Sequence, residues 1–325
     1  MKPYIYIFIV AIFTISCTKE LPLDSSDDTT LLVMNAYINA DSLNNILYLS
    51  FTGKYETSPV ENASLEIRVN GKLTETISSQ RSYSSYSFFD INTRFKPNDV
   101  VRFDAFTADS AYHAWAEVTV PHRPAAIEKI DTMSVKYTYQ SNTNNYIRYK
   151  ITFSDLPDED NYYQIKSLLA ITNIPYSYDD YKEYTTQYER SLIYHDDIVL
   201  TDGQPSTDQD DEDGLLPTTD NIYGVFDDSR FKNTSYTMTV YNKGIYLSSD
   251  NSYYKYDDSG IKIKQTFYLI SITKVEYYYM KALNLYDSDS YSEELNEPIK
   301  FPSNVHGGTG MIGISAGTSK TITLQ

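Results

Sequence analysis

The chain has 325 residues, enough for one large or two modest domains around a substantial apolar core. Its 27 basic residues against 44 acidic ones leave a net charge of −17, which argues against nucleic acid and anionic lipid headgroups as partners. A single cysteine rules out a disulfide framework, a thiolate zinc site and an iron–sulfur cluster, and with only 4 scattered histidines no metal or other cofactor is expected.

The N-terminus points to export. Lys2 precedes an apolar run over 4–15, the length of a signal-peptide core and too short for a spanning helix of about 20 residues. Ser16 and Cys17 follow at once. A small residue before a cysteine at the end of such a run is the bacterial lipobox, in which the thiol is diacylated after cleavage. Thr14 replaces the usual leucine three residues before the cysteine. Several acyl chains, at about 0.8 kcal/mol per buried CH₂, hold a protein to a membrane durably. Residues 1–16 therefore read as signal peptide, Cys17 as the lipidation site, and 17–30 as an acidic tether.

From residue 31 the pattern is strand after strand. Strands are expected over 31–39, 46–51, 64–69, 73–77, 83–91, 100–107 and 112–120, with Asn70-Gly71 as a type I′ hairpin turn. About seven strands in this length predict an immunoglobulin-like sandwich over 31–120. Pro121-His122-Arg123-Pro124 breaks the pattern and sets a boundary. A larger β-rich domain is expected over 125–325, with strands at 133–139, 146–153, 162–172, 236–241, 261–272 and 321–324. One helix is predicted near 273–286: Thr273 and Glu276 fit a capping box, and Val275, Tyr279, Ala282 and Tyr286 fall on one face. The fold class is all-β.

Motifs with chemical potential are few. Gly313-Ile314-Ser315-Ala316-Gly317 has the letters of a nucleophile elbow, but neither an acid nor a histidine follows, so it reads as a Gly-rich turn between closing strands. Asp208, Asp210 and Glu212 have calcium-loop spacing, yet Asp213 stands where the sharp turn needs glycine. A solvated acidic loop is the better reading, and weak calcium binding the alternative. His195-Asp196-Asp197 sets an imidazole beside two carboxylates without naming a third partner. The 33 tyrosines are the strongest compositional oddity. Tyr176, Tyr178, Tyr181, Tyr184 and Tyr188 crowd one stretch with Pro175 and several acids. Tyrosine joins a broad apolar face to a polar tip, as recognition surfaces do. An exposed binding loop and half-buried packing are both open there.

Several segments resemble a known family. Leu32–Ile38, Val60–Ile67, Phe153-Ser154-Asp155, Asp160-Asn161-Tyr162-Tyr163 and Phe226-Asp227-Asp228 match it, as does the ending Ser303-Asn304-Val305-His306-Gly307-Gly308 with Gly310-Met311-Ile312-Gly313. They are similar to the Bacteroidota outer-membrane lipoproteins grouped as domain of unknown function forty-two forty-nine. Thr309 departs from the longer apolar residue usual there. The resemblance implies an outer-membrane location, with surface exposure open, and company with TonB-dependent receptors. It supplies no activity. The expected function is a non-enzymatic binding or docking module for a TonB-dependent nutrient receptor. The alternatives are a surface hydrolase acting on peptide or glycan, and a structural envelope lipoprotein.

Overall fold

The computed structural model describes residues 30–53, 56–78, 80–139, 142–173, 184–203, 221–243, 261–288, 291 and 297–324. Cys17, the acidic loop with Asp208, Asp210 and Glu212, and Tyr176, Tyr178 and Tyr181 lie outside them.

The fold is all-β with a single helix among the described residues. The first half holds β1 (Leu32–Asn39), β2 (Asn45–Phe51), β3 (Ser58–Pro59), β4 (Ala63–Val69), β5 (Lys72–Ile77), β6 (Arg81–Tyr83), β7 (Tyr86–Ile91), β8 (Val100–Thr107) and β9 (His113–Thr119). Alternation drives them: Leu32, Met34, Ala36 and Ile38 of β1 are buried while the residues between face outward. Full burial of each such large apolar side chain is worth about 1.5–3 kcal/mol. Asn70 and Gly71, both at positive φ, make the expected turn between β4 and β5. One layer has the order β1-β2-β7-β6 and the other β5-β4-β8-β9. Their facing side chains, among them Leu47, Phe89, Leu65, Ile67, Val101 and Phe103, form one core.

The second half holds β10 (Lys129–Tyr139), β11 (Asn142–Ser154), β12 (Tyr162–Asn173), β13 (Tyr184–Glu189), β14 (Val225–Asp227), β15 (Ser235–Lys243), β16 (Ile261–Ser271), the helix α1 (Lys274–Tyr286) and β17 (Gly308–Leu324). A three-stranded layer β10-β11-β15 faces the run β13-β12-β16-β17. Tyr149, Ile151, Phe153, Tyr163, Phe267 and Leu269 fill the space between them.

The last strand ties the two halves together. Gly308 to Ser315 pair in parallel with β1, and Ala316 to Leu324 pair antiparallel with β16. The Gly-rich stretch expected as a turn is therefore the middle of a strand. Its glycines permit the approach: a Cβ on Gly308 would lie 2.3 Å from Leu32 O, and one on Gly310, at φ +113°, 2.2 Å from Met34 O. The chain changes core between Val120 and Ile127. Yet Val305, Ile312, Ile314 and Ala316 belong to the first core. Residues 31–120 alone lack one strand of their own sheet.

The helix also departs from expectation. Its buried side carries Glu276, Tyr277, Met280 and Asn284, and not the apolar face through Val275 and Tyr286. Hydrogen bonds explain the choice. Asn284 Oδ1 accepts from Tyr223 N at 3.0 Å, and its Nδ2 donates to Asn221 Oδ1 at 3.1 Å. Tyr279 and Tyr286 instead meet Phe301, with ring centroids at 5.2 and 6.0 Å. Thr273 stands at the N-cap without a side-chain capping bond, so the capping box is not completed.

Candidate binding site at Arg190

Tyr184 and Tyr188 do not belong to a loop. They lie on β13, which pairs with β12 in the register Asn173↔Tyr184 and Leu169↔Tyr188 and is the outer strand of its sheet among the described residues. Tyr188 is half exposed. Just beyond it, residues 190–193 cross from one layer to the other. Arg190 N donates to Ser167 O of β12 at 2.9 Å, and Ser167 Oγ donates to Arg190 O at 3.1 Å. Ile193 exchanges backbone bonds with Tyr241 of β15, and Asn242 Nδ2 donates to Ser191 O at 2.9 Å. This double clamp holds Arg190 at the seam between the layers.

Unusual polarity surrounds that seam. Tyr149 of β11 and Gln265 of β16 are both fully buried, and Asn242 is 1% exposed. Tyr149 Oη, Arg190 Nη1, Asn242 Oδ1 and both amide atoms of Gln265 have no hydrogen-bond partner among the described residues. Each buried polar group left unpaired costs about 1–3 kcal/mol. Register relates them: Tyr149 lies opposite Val240 and Ile147 opposite Asn242, so Tyr149 and Asn242 share one inner face. The Tyr149 ring meets Phe267, two residues along from Gln265, edge-on at 4.8 Å. Burial pushes the Tyr149 phenol up to about 12, tempered by the nearby Arg190 charge. Burial pulls the Arg190 guanidinium down. Its Nη2 is anchored on Lys243 O at 2.5 Å.

Two clefts of about 470 and 630 Å³ meet at Arg190. Among the described residues their charged lining is Lys166, Lys243 and Arg190 against Glu189, a basic patch on a strongly acidic chain. The sequence carried a signal for this site. Along β16, Ile263, Gln265, Phe267 and Leu269 share one phase, so Gln265 is a polar residue at a core position. Nothing in the sequence singled out Arg190, because the crossing segment is specified by tertiary contacts.

The other candidates have structural duties. Asp197 is 2% exposed; Oδ1 accepts from Val199 N, Leu200 N and Tyr236 Oη at 3.0–3.2 Å, and Oδ2 from Thr239 N at 2.7 Å. Burial still raises its pKa above the ordinary carboxylate value. Asp196 accepts from Tyr241 Oη at 2.6 Å, and His195 stacks on Tyr194. Ser315 sits in mid-strand, its Oγ donating to Ile38 O at 3.2 Å. Among the described residues no three His, Cys, Asp or Glu side chains converge as a metal site, and no helix is long and apolar enough to cross a membrane.

Several of the segments that carried the resemblance fold into two knots. Asn161 N donates to Asp228 Oδ2 at 2.9 Å, and Tyr163 Oη donates to Asp155 Oδ1 at 2.8 Å. Asn161 Nδ2 reaches both carboxylates, at 3.3 and 3.2 Å. In the second knot, Asn304 exchanges side-chain bonds with the backbone of Ile312 at 2.9 and 3.0 Å, and the His306 ring stacks on Trp115 at 4.1 Å. Both knots brace loops against strands. Among curated proteins no relative matches the chain. A family model matches residues 18–321, nearly the whole sequence, and the chain therefore belongs to the family described as Domain of unknown function (DUF4249).

Proposed function

We propose that the protein is a lipid-anchored accessory module of the outer membrane that binds rather than catalyses, acting beside a TonB-dependent nutrient receptor. The observation that carries the binding reading is the paired cleft at Arg190, bordered by the outer strand β13 with its exposed Tyr188. An outer strand offers unpaired backbone groups for a partner's extended segment, and the ring beside it offers an aromatic anchor. The anchor and the compartment rest on Cys17 closing an apolar run of signal-peptide length. The experiment is to isolate the native protein from the outer membrane and identify what accompanies it. A receptor should be recovered with the wild type and lost with Tyr184→Ala/Tyr188→Ala. Mass spectrometry should find Cys17 acylated, and Cys17→Ala should abolish both acylation and membrane retention. An unmodified Cys17, or recovery of the chain alone, would overturn the proposal.

A further inference from the structure

We propose that the solvent face of β1, β2, β7 and β6 binds a neutral oligosaccharide through Tyr48, Tyr83, Tyr86 and Phe88. This goes beyond the docking reading above and concerns the other half of the chain. An antiparallel sheet with one face on the core ordinarily turns a polar face to water. Here the outward face is aromatic. Register sets Tyr48 opposite Phe88, Phe88 opposite Arg81, and Tyr86 opposite Tyr83. Tyr48 is 41% exposed, Tyr83 67% and Tyr86 36%. Ring centroids step from Tyr83 to Tyr86 at 6.1 Å, to Tyr48 at 5.3 Å and on to Phe88 at 6.2 Å. Half-exposed Tyr37 extends the patch to Gly313, its register partner, where α1 begins to cover the sheet. Contiguous exposed apolar surface of this kind marks an interaction site.

The chemistry of the face selects its ligand. These four strands contain two charged residues, Arg81 and Asp90, and the two pair with each other. The face is therefore neutral on a chain of net charge −17, and an ionic ligand finds no opposite field there. The Tyr48, Tyr83 and Tyr86 hydroxyls make no hydrogen bond among the described residues, and each can donate or accept. A sugar ring has the matching make-up. Its C–H face meets the negative face of an aromatic ring, and its hydroxyl rim meets the phenols and the Arg81–Asp90 pair. The guanidinium lies over the Phe88 ring at 4.2 Å, which holds it in place beforehand. Ring steps of 5.3 and 6.1 Å are close to the length of one hexose in a chain, so several units can engage at once. Interplanar angles of 82° and 46° make the array a cup rather than a flat plane. An extended peptide fits less well, because the edge strand β6 has three residues and offers little backbone for strand addition.

The test is calorimetric titration of the full chain, in a detergent without a sugar headgroup, with maltoheptaose, cellohexaose, xylohexaose and the acidic trigalacturonate. At least one neutral sugar should bind saturably, and Tyr48→Ala/Tyr86→Ala should weaken it at least tenfold. Tyr83→Ala removes the most exposed ring of the array and should weaken binding at least threefold, so it keeps the test decisive where the double variant fails to fold. No saturable binding, or binding unchanged in the variants, would overturn the proposal. Tightest binding of trigalacturonate would overturn the neutral class. A dimer in sedimentation that Tyr83→Ala disperses would assign the face to a second copy and overturn the sugar site. Receptor recovery separates this proposal from the docking reading. Recovery that depends on Tyr188 and not on Tyr83 leaves docking standing even if no sugar binds; loss of the receptor with Tyr83→Ala, and no sugar bound, would give this face to the receptor.

Discussion

Gly313 of β17 lies directly beneath the carboxyl group of Glu276 on α1: a Cβ at position 313 would meet Glu276 Oε2 at 2.5 Å and Cδ at 2.8 Å. The helix can settle on the sheet here because position 313 has no side chain. That close packing leaves Glu276 3% exposed and Oε2 without a partner among the described residues.

Glu276 makes stability depend on pH. Burial raises its pKa from 4.5 to about 7. The folded protein therefore holds a proton that the unfolded chain has released between those values. The stability tied to this group is complete below 4.5 and is lost as pH rises through 7. A shift of that size corresponds to about 3 kcal/mol. Glu276→Gln should be more stable than wild type at pH 8 by up to about 3 kcal/mol, with the gain fading toward pH 5. Urea denaturation at both pH values checks this, and a gain independent of pH would refute it.

Gly310 should tolerate substitution far less than Gly71. Both have positive φ, at +113° and +77°. At Gly71 a Cβ would meet nothing within 4 Å, so Gly71→Ala should cost only the backbone strain, about 1–2 kcal/mol. Gly310→Ala adds a backbone clash with Met34 O, worth a further 1–3 kcal/mol or so, and should disturb the parallel pairing of β17 with β1. Comparing the melting temperatures of the two variants is the measurement; equal losses would contradict the pairing argument.

The first half should not fold without the last strand. A fragment of residues 30–126 omits Ile312 and Ile314, both fully buried in its core, and leaves one side of β1 unpaired. Its amide NMR spectrum should be poorly dispersed. Joining residues 301–324 to the fragment should restore dispersion. A well-dispersed spectrum from the short fragment would show that β17 is dispensable.

Asp104 is the hub of the outer face of β8. It is 2% exposed and accepts from Arg68 Nη1 at 3.0 Å, from Arg102 Nε and Nη2 at 2.9 Å, and from His113 at 3.0 Å. Burial pushes its pKa up, but the bonds from Arg102 and His113 outweigh it and hold the carboxyl below 3.8. Asp104→Ala should cost about 1.5–3 kcal/mol, the range for hydrogen bonds to charged groups. The gap should narrow only as pH falls below 3.8, where wild type loses the same charge. Arg102 lies over Trp115, the single tryptophan, at 4.0 Å, so its emission should shift in the variant.

Legibility followed the range of the interaction. The strand at Val100–Thr107 and the Asn70-Gly71 turn coincide with the sequence reading, because alternation and φ preference act within a few residues. Tyr184 and Tyr188 stood out in the sequence by composition but not as β13, since that strand exists by pairing with β12. Glu276 and Asn284 defied the apolar period of the helix, because their burial depends on Gly313, Tyr223 and Asn221, all far along the chain.

The sequence by itself determined the all-β class, the positions of most strands and the helix over 274–286, which follow from local period and composition, while the family follows from the segments that resemble it. Tertiary structure alone decided that residues 308–324 form one strand joining both halves in a continuous ten-stranded sheet, since neighbours on β1 and β16 supply its pairing. It likewise decided that Tyr149, Asn242 and Gln265 are buried and that Arg190 sits where two clefts adjoin. They come from four separate segments, and burial turns each from an ordinary polar residue into one that needs a partner.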